Sequence, residues 1–505
     1  MPRKYERLAA LAICCLLLGG CAAGNGAASD GPTLPPVPPA ANVPINDANQ
    51  SYSQTVLLYL PSPDGSRLVA VPQATALSVS GYSAQRLCEM LFSYPGSDTA
   101  AALGGDVTLS LSENMPVEVS GNAATVSLSA SALRLSYERL FIVGQALANT
   151  LCQFGDLQYV NVLVNGAQPG LDVAGTLPAG SFQPNTREAL GTLWSRASAP
   201  RTAARRAIAA TLYYPAAGGK GILSEGRLLS FADLTAAGMI RTLLDALSAG
   251  AETLPGAPRC PELSALLMDD PQVVQVNGEK RAVLRFGSAL NQAIIDAGIT
   301  RSVMVASIAC TVTTFLPGLD GVEIWFGSEQ ITELTPSGTY VGAGERIAFP
   351  GGVMQRSHFQ RFLLANCTLY LRSGDALQRV SRPVPYYEAR NVRGILDQLM
   401  AGPQAYDSVS GVRAALPEGL RDADLLGVSF SGDTLILNFS QRLIDLSADM
   451  NAQAEQLMVY AMVNTLCELP GVRKVRFLIM GEQPETFAGN LFLPGDFLPN
   501  LSLIR

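Results

Sequence analysis

Histidine occurs once, at His358, and lysine only four times, at Lys4, Lys220, Lys280 and Lys474. One imidazole excludes a multi-histidine metal site and most proton-shuttle chemistry, and four lysines cannot build a polybasic surface. Charged residues are only 15% of the chain, and its formal charge of -7 leaves no general pull toward nucleic acid, so no nucleic-acid partner is expected. C-x-x-C is missing, as are G-x-S-x-G, S-x-x-K, the Walker loop and G-x-G-x-x-G. Neither a metal nor a cofactor is therefore expected. Beyond the N-terminus no run reaches about 18 uninterrupted apolar residues, the length a membrane span needs. The nearest, 302–316, is shorter and carries serine and threonine throughout.

Apolar residues, in contrast, make up 48% of the 505, enough to bury a core and enough for about three domains. The first twenty residues carry Arg3, Lys4 and Arg7 ahead of an apolar stretch of signal-peptide length. That stretch ends in Leu18-Gly19-Gly20-Cys21, which resembles a bacterial lipobox. The expectation is a lipoprotein signal peptide over 1–20, with Cys21 as the lipidated mature N-terminus. Stable residence on a membrane takes two or more acyl chains. Residues 21–50, rich in proline and alanine, read as an extended spacer that cannot bury a core.

Repetition organises the rest. At a constant offset of 315, Asn149-Thr150-Leu151-Cys152 matches Asn464-Thr465-Leu466-Cys467, and Phe182 and Asn185 match Phe497 and Asn500. Leu58-Tyr59-Leu60 likewise matches Leu369-Tyr370-Leu371, and the middle third answers more loosely, from Thr211-Leu212-Tyr213 to Phe315-Leu316-Pro317-Gly318. The pattern predicts three copies, over 51–200, 201–355 (divergent) and 356–505. In each, a short strand, an amphipathic helix, a hairpin with glycine beside Asn or Asp in its turn, a longer helix and a last strand follow in order. The expected fold class is α+β: tandem β-α-β-β-α-β units, each a small sheet with two helices on one face.

The third copy, with its helix end LMAGP, then LLGVSFSGDTLILNFS and VNTLCELPGVRKVRFLIMG, resembles the GerMN domain of sporulation and germination lipoproteins. The first copy matches well through TVLLYLPSPDGSRLV and ANTLCQFGDLQYVNVLVNG, whereas the middle one lacks the AGP and NTL elements. The resemblance implies a non-enzymatic, membrane-anchored, extracytoplasmic protein whose domains look like modules of spore-envelope assemblies, without catalytic residues.

Six mature cysteines follow Cys21, two per copy: Cys88 and Cys152, Cys260 and Cys310, Cys367 and Cys467. An exported location permits disulfides, but the paired positions fall on different elements in each copy, and the apolar neighbours of Cys152, Cys310 and Cys467 suit buried thiols. Connectivity stays open. The Asn-Thr pairs at 149–150 and 464–465 form a shared contact surface or bond the preceding helical turn or the adjacent hairpin, and the second is expected. Tyr59, Tyr213 and Tyr370 are interface anchors or ordinary strand packing, the latter expected. His358 is expected to be solvated. The arginine-rich stretch 187–206 (Arg187, Arg196, Arg201, Arg205, Arg206) reads as an interdomain connector, with an anionic wall polymer as its alternative ligand. Asp269-Asp270 and Asp422/Asp424 sit in turn-like segments and make poor candidates for paired catalytic acids.

These readings point to a protein-binding scaffold at the cell membrane, anchored through Cys21, with partners in the spore envelope and with self-association or cell-wall polymer as further options. The alternative is an extracytoplasmic wall-polymer or small-ligand binding lipoprotein. A wall-processing enzyme comes last.

Overall fold

The computed structural model describes residues 51–505 except 79–82, 155–156, 173, 200–205, 338–343, 387 and 470. Cys21, the signal segment and the spacer lie outside the described residues, as do Arg201 and Arg205.

Strands β1 (Ser51–Pro61) and β2 (Leu68–Ser78) form an antiparallel hairpin, so the opening element of the first copy is two long strands where the sequence pattern suggests one. Helix α1 (Ser83–Ser93) follows, then β3 (Val117–Ser120), β4 (Ala123–Leu128), α2 (Tyr137–Leu151) and β5 (Tyr159–Val164). β3 pairs antiparallel with β4, β4 parallel with β5, and β6 (Ser181–Phe182) closes the sheet's edge before α3 (Leu190–Ala197). A helical crossover between β4 and β5 is what a parallel pair requires.

The middle third repeats this order and these pairings. The hairpin β7 (Arg206–Pro215) and β8 (Ile222–Phe231) leads to α4 (Ala236–Ala249) and to β9 (Gln272–Val276), antiparallel to β10 (Glu279–Phe286). Next come α5 (Ala289–Asp296), α6 (Arg301–Phe315) and β11 (Gly321–Phe326), parallel to β10. The short strands β12 (Glu329–Gln330), β13 (Glu333–Leu334) and β14 (Ile347–Ala348) and a 3-10 turn, Arg356–Phe362, lead onward. In the last third the hairpin β15 (Leu364–Ser373) and β16 (Ala376–Pro385) precedes α7 (Val392–Met400), β17 (Leu425–Ser431), β18 (Thr434–Phe439), α8 (Arg442–Ser447), α9 (Ala452–Leu466) and β19 (Lys474–Ile479). Once more β17 is antiparallel and β19 parallel to β18.

The α+β class stands, with each long helix placed between its hairpin and a sheet of four strands in the first two thirds and three in the last, rather than on one face of a single sheet. Buried side chains show why. From Ser302 to Phe315 every residue of α6 is buried, and α2 is buried from Leu140 to Leu151. A helix covered on all sides needs no polar face. That also explains the apolar run at 302–316; among the described residues no single helix is long and apolar enough to cross a membrane. Local signals start the long helices: Ser136, Thr300 and Asn451 accept from the backbone N–H three residues on.

Candidate interaction surfaces

One hydrogen bond recurs in the first, middle and last thirds of the chain. The backbone N–H of Tyr59 donates to Thr150 Oγ1 at 3.0 Å, that of Tyr213 to Thr311 Oγ1 at 2.9 Å, and that of Tyr370 to Thr465 Oγ1 at 3.0 Å. Each fixes the long helix to the open edge of its own hairpin, whose outward N–H groups would otherwise lack partners. Thr150 and Thr465 thus bond the opening hairpin, which the sequence pattern reads as one strand, rather than the preceding helical turn or the hairpin before the helix, and Thr311 makes the same bond in the middle third, which lacks the NTL motif. The neighbouring asparagines act as a second clasp. Asn149 exchanges two bonds with the backbone of Asn185, and Asn464 does so with Asn500; Cys310 stands at this position in the middle copy. A further shared contact follows the first helix, where Arg227 and Arg382 donate to the carbonyls of Gly250 (2.9 Å) and Gly402 (2.6 Å).

The first copy is joined to the second by a sheet face laid on a hairpin face. Ser181 Oγ lies 2.8 Å from Thr211 Oγ1 and Thr125 Oγ1 3.4 Å from Tyr213 Oη, while Ala123, Tyr159 and Ala209 form a small apolar cluster between them. At its rim the β3–β4 turn takes the place of a strand along β8. Ser224 N–H donates to Ser120 Oγ (3.1 Å), Ser224 Oγ to Ser120 O (2.8 Å), and Gly226 N–H to Asn122 Oδ1 (2.7 Å). Ser120 Oγ also donates to Leu364 O of the third copy, at 2.6 Å. Glycine is required on both sides of this contact. A Cβ on Gly226 would stand 2.2 Å from the Tyr159 ring, and one on Gly121 2.1 Å from Ser224 O.

A buried charge pair sits where the three copies meet. Arg356, in the 3-10 turn before β15, pairs with Glu118 on β3, and its guanidinium donates to Tyr213 Oη at 3.1 Å. Burial lowers the Arg356 pKa to about 10, which still leaves a cation at neutral pH. Glu118 Oε1 and Arg356 Nε have no partner, so the pair serves placement more than stability. The sequence pattern, which places His358 in solvent, gives Arg356 no such role. No local signal marks it, since the partners are 238 residues apart. His358, expected in solvent, is half-buried against Phe349 at 5.3 Å, and its Nδ1 accepts from Gln355 N–H.

The remaining candidates are dispersed. All six mature cysteines are free thiols. Cys310 lies inside α6, whereas Cys152 and Cys467 cap the ends of α2 and α9 instead of lying within them. Burial pushes the thiols of Cys152, Cys260, Cys367 and Cys467 up to about 12, and those of Cys88 and Cys310 further in the same direction. A thiol so raised is a poor nucleophile. Asp269 pairs with Arg285 and Asp270 with Arg241, while Asp422 pairs with Arg393 and Asp424 accepts from Arg421 N–H and Ser440 Oγ. In the arginine-rich junction, Arg196 pairs with Glu188 and Arg206 donates to the carbonyls of Ala197 and Ala199. Among the described residues none of these sets comes together into a cleft.

Residues 57–169 and 368–485 match the sequence model of the Germane family, described as sporulation and spore germination. Those two segments, less than half of the chain, are similar to that family. The match relates the chain to sporulation and germination, and it falls on the first and third copies, where the GerMN resemblance was strongest. Among solved structures, the tandem GerMN domains of the sporulation protein GerM from Bacillus subtilis share 19% identity, over 60% of this chain and 99% of that one, with a TM-score of 0.22. The first GerMN domain of the same protein shares 22% identity over 26% and 98% of the two chains, with a TM-score of 0.20. At these scores the likenesses add nothing to the topology already described. No curated protein matches the chain.

Proposed function

We propose that the protein is a membrane-anchored, extracytoplasmic lipoprotein that serves sporulation or germination as a non-enzymatic scaffold, binding protein partners in the spore envelope. We also infer that the middle segment is a third, diverged copy of the Germane unit. The first rests on the family match over 57–169 and 368–485 and on Leu18-Gly19-Gly20-Cys21; the second rests on the Tyr-to-Thr lock, which appears in the two matched segments and again, at Tyr213 and Thr311, in the unmatched one. A third unit joined so closely to the first favours a rigid body that presents surfaces over a hinged one that closes on a substrate. For the wall-polymer alternative, Arg196 and Arg206 spend donors inside the junction, which leaves the exposed Arg187 as its footing among the described residues.

Deletion of the gene in the parent bacterium tests this. The expected result is a defect in spore formation or germination, restored by the wild-type chain and not by Cys21→Ser, which removes the acyl attachment. Normal spores that germinate normally in the deletion strain contradict the reading.

A further inference from the structure

Two turns of the chain share their residues and their backbone and differ in a single hydrogen bond. Val164-Asn165-Gly166 follows β5, and Val276-Asn277-Gly278 joins β9 to β10. Both are two-residue turns in which asparagine and glycine take left-handed conformations, with φ of 50° and 80° in the first and 54° and 88° in the second. All four residues are exposed. In the first turn Gly166 N–H donates to Ser127 Oγ at 3.1 Å, whereas among the described residues Gly278 N–H and the side-chain amide of Asn277 have no partner.

The other described pairs of Asn or Asp before glycine are closed. Asp64, before Gly65, is held ionised, its pKa lowered to about 2 first of all by the Ser62 hydroxyl, and Gly65 N–H donates to Ser62 O at 2.8 Å. Asp320 accepts from Lys280 N–H at 2.7 Å, and Gly321 is buried within β11.

We propose that Asn277-Gly278 is a site of spontaneous covalent modification, where the chain deamidates itself through a succinimide. Gly278 N loses its proton to hydroxide and attacks Asn277 Cγ. The N–Cγ bond forms, the Cγ–Nδ2 bond breaks, and the side-chain nitrogen leaves as ammonia after taking a proton from water. Water then opens the ring: addition at Cγ gives aspartate at position 277, and addition at its main-chain carbonyl carbon gives isoaspartate. Amide and water have become carboxylate and ammonium, with no change of oxidation state. An N–H already given to an acceptor, as at Gly166, must first leave it, and an ionised carboxylate, as at Asp64, is a poor electrophile. Of the four described pairs, Asn277-Gly278 alone meets neither obstacle.

The site lies where the change matters. β9 is an outer strand of its sheet and pairs with β10 alone, in a register that this turn sets. Isoaspartate lengthens the main chain of a two-residue loop by one carbon, and both products place a negative charge next to Glu279. The Val276–Glu279 end of the pairing is therefore expected to loosen as the molecule ages. This inference stands apart from the scaffold reading, since it needs no partner.

The test is to age the full chain in mildly alkaline buffer, with and without denaturant, and to follow both Val-Asn-Gly peptides by mass spectrometry together with the ammonia released. In denaturant the two are expected to convert at similar rates, because their local sequences match. In the native chain Asn277 is expected to convert about fivefold faster than Asn165, the ratio that one hydrogen bond of ordinary net strength gives. Ser127→Ala frees Gly166 N–H and is expected to bring Asn165 up to the rate of Asn277; Ser127→Cys, with its weaker acceptor, replaces it should it fail to fold. Asn277→Ser is expected to abolish conversion at that turn and to keep, in aged samples, the hydrogen-exchange protection of β9 that the wild type loses. Native Asn277 that converts no faster than native Asn165, or that stays intact while the unfolded chain converts, overturns the proposal.

Discussion

The hairpins β1–β2 and β7–β8 are one structure in two settings. Both are locked from one edge by a threonine of their own long helix, yet their other edges meet different fates. Along β8 the outward N–H groups of Ser224 and Gly226 are taken by Ser120 and Asn122 of the first copy. Along β2 the position equivalent to Gly226 is Pro72, which has no N–H to leave open. β16 shows a third solution, with Ser381 N–H donating to Ser408 Oγ from the copy's own loop. A repeated unit with an open strand must pair it, cover it or blunt it, and each copy takes a different course. What diverges between the copies is therefore the surroundings of the hairpin more than the hairpin itself.

The largest effect expected from breaking this comparison lies at the three-way junction. Glu118→Ala leaves Arg356 buried without a counter-charge and should lower stability by about 3–5 kcal/mol in denaturant unfolding. Replacing both residues by methionine should recover most of that loss; failure to recover would show that the pair contributes stability in its own right. Gly226→Ala comes next. Its new Cβ meets the base of the Tyr159 ring and should cost about 1–3 kcal/mol, whereas Pro72→Ala at the equivalent bare edge should stay within about 0.5 kcal/mol. Equal costs at the two sites would mean that the first copy's hairpin is also covered.

Much of the unit was legible from the residues alone. Period-two and helical patterns, with Gly-Asn and Gly-Asp turns, gave the order of elements, and the offset of 315 gave the duplication. That Thr150 and Thr465 bond something close by follows from a hydroxyl in an apolar helix needing a nearby partner, but which partner did not follow, because the opening hairpin reads as one strand. The second strand of each opening hairpin was not legible: β2 mixes Pro72 with alternating alanines, which reads as loop although the alternation is that of a strand exposed on one face. Nor was the junction, because Glu118 and Arg356 are each ordinary surface residues until a distant part of the chain buries them. The middle copy hid its identity by substituting Cys310 for asparagine while keeping Thr311, so the lock survived and the motif did not.

The central claim is that the middle segment is a self-locked unit whose hairpin takes only its outer cover and edge partners from the first third of the chain. Native-state hydrogen exchange of the wild type and of Asn122→Ala tests it most directly. Loss of the side-chain acceptor should speed exchange at the Gly226 amide about fivefold, the equivalent of about 1 kcal/mol, while the Tyr213 amide, held by Thr311, keeps its protection. If Tyr213 loses protection in step with Gly226, the middle segment has no lock of its own and the account fails.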